Sequence, residues 1–258
     1  MTAPVGSPPR RTPITQQQRV EALRQLNKSG ARWSVLWEWA KSFQIAVILF
    51  FLIRAFFVEA FKIPSGSMEG TLLVGDFLLV NKLVYGAEVP FTGTRLPRIE
   101  SPDRGDVIVF QYPDDPSKSY VKRLVGLPGD TMAMDNGILI RNGIRQREQY
   151  VSHTNPYDDA SLDDFRWQRN HLVRSATAQP ILHPSRNNWG PLVVPQDSYF
   201  VLGDNRDNSS DSRYWGFVAD SLVRGRPIFV YYSYAPDSVG SLAWLTRIRW
   251  DRLGERIR

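Results

Sequence analysis

GDNRDNSSDSRYWG, residues 203–216, is the stretch on which the reading of this chain turns. It packs Asp, Asn, Arg and Ser at a density that an ordinary connecting loop does not need. Short side chains that bond their own backbone suit a rigid, internally bonded loop.

Upstream, YVKRLV at 120–125 reads as a strand on which Tyr120, Lys122 and Leu124 share a face. A lysine between apolar neighbours is desolvated, which lowers its pKa, by about 3–5 units when burial is complete. A neutral amine can then take a proton from a hydroxyl. Arg123 cannot, because a guanidinium stays protonated. Read alone, a solvated strand lysine is the commoner arrangement. Further upstream, IPSGSM at 63–68 sets Ser67 beside Gly66 and Ser65. By itself this also reads as a polar turn, since a serine nucleophile needs a base within hydrogen-bond reach. His153, His171 and His183 are poor bases: all three fall in a polar Asn/Asp/Arg-rich stretch at about 145–195, which reads as an insertion.

Between these segments the chain reads as short strands. Asp76–Leu83, Asp106–Phe110, Tyr120–Val125, Gly137–Ile140, Ser198–Leu202 and Pro227–Tyr232 are β-branched or aromatic runs, separated by turn signals such as PGD at 128–130 and NG at 142–143. The pattern is all-β, of barrel or folded-sheet type. The 18 glycines and 18 prolines suit it better than a helix bundle.

The N-terminal part differs. From Phe43 to Val58 the polar residues are Gln44 and Arg54. Sixteen helical residues span roughly 24 Å, short of a ~30 Å hydrocarbon core. Extension back to Trp37 gives 22 residues, with Lys41 and Arg54 snorkelling and Trp33, Trp37 and Trp39 as an interfacial belt. A buried core helix fits less well, because Ile45–Ile53 has no amphipathic stripe. A cleaved leader, with Val58-Glu59-Ala60 as the cleavage site, would need an n-region of unusual length. The expected organisation is a largely disordered, cytoplasmic segment at 1–36, with a short polar helix at 19–29, a transmembrane anchor at 37–58, and an extracytoplasmic β domain at 59–258. Arg24, Lys28, Arg32 and Lys41 precede the apolar block and Lys62 alone closely follows it, which puts the N-terminus in the cytoplasm.

Charge agrees with this division. The net charge is +6, made of +5 in residues 1–42, +3 in residues 247–258 and −2 between them. A nucleic-acid binder more often carries its basic residues on the folded body. Basic ends beside an apolar segment fit an anionic membrane surface. The tail LAWLTRIRWDRLGERIR at 242–258 reads either as an interfacial amphipathic segment or as a closing strand with a basic end. The absence of cysteine excludes a thiol nucleophile, disulfides and Cys-ligated zinc.

Four stretches in order resemble the type I signal peptidases: IPSGSMEGTL at 63–72, GDFLLVNK at 75–82, RGDVIVF with YVKRLVGLPGD at 104–110 and 120–130, and GDNRDNSSDSRYWG at 203–216. The resemblance implies Ser67 as nucleophile and Lys122 as general base. It implies an oxyanion hole made by the Ser65 hydroxyl and the Ser67 backbone N–H, with Ser209 orienting the lysine and Asp211 and Arg213 bracing the site. It implies an all-β catalytic domain of folded antiparallel sheets behind one N-terminal transmembrane helix, in the bacterial inner (plasma) membrane. The substrates would be secretory preproteins with small residues at the first and third positions before the cut. No metal and no cofactor is implied, and the partners are preprotein and membrane lipid, without nucleic acid. One position departs from the family: Gly70 stands where Pro is usual, which loosens the turn behind Ser67. An organellar or conjugation-linked relative, a self-cleaving repressor and an inactive membrane-tethered binding module are the competing readings. The anchor, the complete late motif and the large insertion favour the general bacterial enzyme over the first, the second carries a DNA-binding domain and no membrane segment, and intact Ser67 and Lys122 argue against the third.

Overall fold

A computed structural model of the chain describes residues 15–90, 92–155, 163–173, 180–236 and 243–257, with residues 22–32 described by backbone only. It divides into two units, one ending at Leu52 and one beginning at Ile53.

The first unit is one helix, α1 (Gln16–Leu52). The sequence reading separates a polar helix at 19–29 from the anchor and leaves most of 1–36 disordered. The helix instead runs unbroken from Gln16; the expectation for residues 1–14 lies outside the described residues. Its Gln, Arg, Glu, Ala and Leu are good helix formers, and lengthening an existing helix avoids a second costly nucleation. Trp33–Phe57 is long and apolar enough to cross a membrane, and none of it is buried within the protein. Its last turn, Ile53–Phe57, widens to π-helical geometry before the chain becomes extended at Val58.

In the second unit, eleven strands form two antiparallel sheets among the described residues. They are β1 (Val58–Lys62), β2 (Asp76–Asn81), β3 (Val107–Tyr112), β4 (Asp115–Gly126), β5 (Thr131–Asp135), β6 (Ile138–Arg141), β7 (Ile144–Arg145), β8 (Trp189–Val193), β9 (Ser198–Leu202), β10 (Val218–Ala219) and β11 (Val223–Ser233). The larger sheet has the order β1-β2-β11-β3-β4-β9-β10 and the smaller β7-β6-β5-β8. Strand β3 explains why the fold needs unbroken apolar runs. Val107 and Val109 enter one core cluster, with Met68, Leu72 and Leu78, while Ile108 and Phe110 enter another, with Leu124 and Val201. A strand buried on both faces does not alternate. A third cluster, around Trp189, Met132 and Phe200, joins the two sheets.

The polar stretch expected as an insertion at about 145–195 carries defined structure at both ends. Its last part, Trp189–Val193, is strand β8, and Trp189 is fully buried. Its first part packs against the loop that begins at Gly203, since Ser152 N donates to Asp204 O at 2.9 Å and Arg206 N to Ser152 O at 3.1 Å. The stretch is thus partly a structural member of the domain. Among its described residues the tail is neither a continuous amphipathic helix nor a closing strand. It forms short turns, Ala243–Thr246 and Trp250–Arg252, and isolated bridges at Ile248 and Arg256. Arg252 Nη2 donates to Asp76 Oδ2 at 2.7 Å and to Thr71 O at 3.0 Å, and Arg249 Nη1 to Val74 O at 3.0 Å. Two of its arginines are therefore spent inside the domain, while Trp244 and Trp250 stay exposed at 53% and 74%.

Candidate active site

Ser67 lies in a short 3₁₀ turn, Gly66–Met68, that follows β1. Met68 and Leu72 anchor the turn by inserting into the core, each at most 1% exposed. Lys122 comes from β4, where it pairs with Ile108 of β3. The two side chains meet across 55 residues of sequence, with Lys122 Nζ 2.7 Å from Ser67 Oγ. Lys122 Nζ also donates to Val121 O at 3.2 Å. Ser67 is 7% exposed and Lys122 4%.

Burial is what sets the chemistry of this pair. Loss of hydration disfavours the ammonium ion, and the Lys122 amine is pulled down to about 8, against the weaker opposing pull of the Asp211 and Asp204 carboxylates. A substantial neutral fraction is then present near physiological pH, on a 2.7 Å line to a hydroxyl. His153 lies 3.1 Å from Asp207, and His171 packs against Trp167 and Phe217, so neither points at Ser67.

The other residues named from the sequence lie around this pair in different ways. Ser65 is exposed, with its Oγ 3.5 Å from Ser67 Oγ, at the lip of the cleft. Ser209 is buried and makes no hydrogen bond of ordinary geometry, although it helps to hold the Asp211 carboxyl low. Its place is fixed by Gly203, where a Cβ would stand 2.2 Å from Ser209 Oγ and 2.5 Å from Ser67 O. Asp211 and Arg213, both fully buried, form a two-pronged ion pair: Arg213 Nε to Oδ1 and Nη2 to Oδ2, each at 2.8 Å. Asp211 also caps helix α2 (Ser212–Trp215) and accepts from Gly203 N at 3.0 Å. Burial pushes the Asp211 carboxyl up, but the Arg213 guanidinium overrides it and the net shift is downward. Breaking such a buried pair by removing one partner costs about 3–5 kcal/mol.

Several members of the site were not legible from sequence. Arg123, dismissed as a base, forms a second buried pair, Nε to Asp204 Oδ1 at 2.8 Å and Nη2 to Asp204 Oδ2 at 2.7 Å. Thr71 bonds the same carboxylate at 2.5 Å, which ties the Ser67 turn to the late loop. Arg206 reaches Glu148 at 2.8 Å, and Ser152 Oγ donates to Glu69 O at 2.8 Å. The one signal for the Arg123–Asp204 pair is the chemical type of two residues 81 positions apart. Nothing in the polar stretch singles out Glu148 or Ser152. Gly70 also finds its explanation: its φ is +107°, a region closed to proline, and it lies against Tyr150 and Ser152.

The cleft in front of Ser67 has a volume of about 410 Å³ and is lined mainly by apolar groups, among them Phe61, Ile63, Met68, Tyr120 and Val121. It lies between two free strand edges. Strand β1 pairs with β2 alone, and β4 before Arg123 pairs with β3 alone, among the described strands. No group of histidine, cysteine, aspartate and glutamate able to hold a metal occurs among the described residues.

An antiparallel-sheet domain with a serine against a buried lysine has the makings of a hydrolase without a histidine base. The family described as "Signal peptidase, peptidase S26" matches residues 36–232. Signal peptidase I of Pseudomonas aeruginosa is 38% identical over 240 residues, which cover 88% of this chain and 81% of that one. Signal peptidase I of Aquifex aeolicus is 34% identical, over 73% of this chain and 80% of its own. A crystal structure of a signal peptidase I from Enterococcus faecalis is 32% identical, covering 50% of this chain and 97% of that chain with a TM-score of 0.33. The chain belongs to the S26 signal peptidase family and is a serine peptidase of the signal peptidase I kind.

Proposed function

We propose that Ser67 is the nucleophile and Lys122 its general base in the removal of signal peptides from secretory preproteins. The observation that carries this reading is the 2.7 Å contact between a buried serine hydroxyl and a lysine whose amine is drawn down to about 8 by burial. The neutral amine takes the Ser67 proton as Oγ attacks the scissile carbonyl. The protonated amine then returns it to the leaving amino group, and a water repeats the cycle on the acyl-enzyme. Ser65 Oγ and the Ser67 backbone N–H receive the negative charge on the carbonyl oxygen, at about 2.7–4 kcal/mol per donor. Ser209, Asp211 and Arg213 hold the loop that packs against Ser67.

The substrate enters as an added strand. The free edges of β1 and β4 offer backbone partners on both sides, and side chains pointing down meet the apolar cleft. An apolar cleft of this makeup suits small residues at the first and third positions before the bond. The helix at Trp33–Phe57 serves as the anchor in a bacterial plasma membrane, with the N-terminus cytoplasmic and the β domain outside. The exposed Trp244 and Trp250 supply a second lipid contact.

The test is cleavage of a model preprotein by the purified protein beside Ser67→Ala and Lys122→Ala. The wild type releases the signal peptide and both variants are inert. Retained cleavage by Ser67→Ala, or loss of cleavage on replacing a single histidine, overturns the assignment.

A further inference from the structure

The apolar cleft does not end the groove that begins at Ser67. A second cavity of about 270 Å³ shares two walls with it, Phe61 of β1 and Ser119 of β4. Its character is different. Its walls carry Glu59, Lys82, Glu88, Arg95, Gln111 and Arg224. Three cations face two carboxylates, so the cavity has an excess of one positive charge.

The charges are built in. Arg95 Nη2 donates to Val223 O at 2.8 Å, and its Nη1 lies 3.4 Å from Asp220 O. Arg224 bridges Glu88 and Gln111. Lys82 lies 3.5 Å from Glu59 with part of its side chain exposed. Its ammonium has three donors, more than one carboxylate at that distance can use. Arg95 is bonded to carbonyl groups, and the Glu88 and Asp220 carboxylates offset part of its charge while Arg224 and Arg98 oppose it.

Strand geometry says what reaches this cavity. Along β1, Glu59 and Phe61 are half-buried while Ala60 and Lys62 point out, so Glu59, Phe61 and Ile63 line one face. Side chains on one face of an extended peptide are two residues apart, about 6.6–6.8 Å. A substrate strand lying along β1, with the first and third residues before the bond in the apolar cleft, brings the fifth over Glu59 and past Phe61.

We propose that this second cavity is a substrate subsite for the fifth residue before the scissile bond, selecting an acidic or neutral polar side chain over a cationic one. The inference rests on the reading of the cleft given under the proposed function. It assigns Lys82 and Arg224 a role in specificity and none in the chemical step.

The experiment uses the full chain in detergent micelles and three peptides with Ala at the first and third positions before the bond, differing in Glu, Gln or Lys at the fifth. The expected order of kcat/KM is Glu, then Gln, then Lys, with roughly a fivefold spread, the scale of partly exposed ion pairs. Lys82→Gln and Arg224→Gln each compress that spread. The spread is a ratio within one preparation, so partial misfolding of a variant does not move it. Equal rates on the three peptides, or an unchanged spread in both variants, overturn the subsite. Cleavage that persists in Ser67→Ala, by contrast, overturns the underlying assignment and leaves the fifth-position ratio as a separate fact.

Discussion

Gly203 and Ser209 approach so closely that a single methyl group between them is excluded: a Cβ on Gly203 would stand 2.2 Å from Ser209 Oγ. The same methyl would meet Ser67 O at 2.5 Å, and Asn205 N donates to that carbonyl at 3.1 Å. Gly203→Ala therefore displaces either the late loop or the Ser67 turn. We predict a loss of about 1–3 kcal/mol in stability, as for other overpacked sites, together with a fall in kcat. Denaturant unfolding beside preprotein turnover measures both, and an unaltered kcat would show that the contact does not set the Ser67 geometry.

The Lys122 amine gives two pH effects of the same sign to test. With Lys122 as the proposed general base, kcat/KM is expected to rise with pH through a midpoint of about 8. For stability, the folded-state pKa lies below the unfolded value near 10.4. Between those pH values the unfolded chain binds more protons, so this group makes the protein more stable as pH rises from about 8 toward 10.4. Lys122→Met removes the buried charge altogether. It should be inactive yet melt higher than wild type at pH 7, by calorimetry, whereas a lower melting temperature would mean that the ammonium is well compensated.

The turn behind Ser67 makes a prediction that runs against its relatives. Gly70 has φ +107°, so Gly70→Pro, which restores the residue usual in the family, is expected to destabilise this chain by about 3 kcal/mol or more. Ser152→Ala, which removes the bond to Glu69 O, should cost about 1 kcal/mol and lower kcat with little change in KM, and Ser152→Thr should restore it. A stabilised Gly70→Pro protein would refute the account of this turn.

Ser65→Ala should keep the melting temperature and lose roughly 10²–10³ in kcat, the usual cost of one oxyanion donor. Ser65 is exposed and the 3.5 Å contact with Ser67 Oγ is long, so little stability is at stake. An unchanged kcat removes Ser65 from the oxyanion hole.

The tail can be tested for a structural share. Asp76 is fully buried and accepts from Leu73 N, Ser233 Oγ and Arg252. Arg252→Ala leaves that carboxylate with less compensation, and a drop in stability of about 2–3 kcal/mol is expected on urea unfolding. No change would return the tail to a purely peripheral role. Trp244→Ser with Trp250→Ser is the cleaner probe of lipid contact, because both rings are exposed.

How far the sequence could be read depended on whether a feature was local. Strand β9 matches its sequence boundaries, Ser198–Leu202, because the run is apolar and flanked by turn residues on both sides. Strand β1 was hidden, since Val58–Lys62 continues the apolar block and reads as the end of the anchor. Strand β8 was hidden by Gly190-Pro191, which signals a turn. At the site, the Ser67 and Lys122 types and their flanking motifs were visible. The Arg123–Asp204 pair and the Ser152 contact join distant segments, and no local pattern announces such partners.

The bond from Arg252 to Thr71 O has a consequence for when the enzyme comes into being. It spans 181 residues, so the loop carrying Ser67 is closed by a segment made long after it. A growing chain that has reached residue 200 already holds Ser67 and Lys122 but lacks Asp204, Asp211, Arg213 and Arg252. Contacts of such long range form only after the intervening loop has been closed, and they fold slowly. The Ser67 turn therefore stays unbraced until a segment synthesised 181 residues after Thr71 has folded onto it.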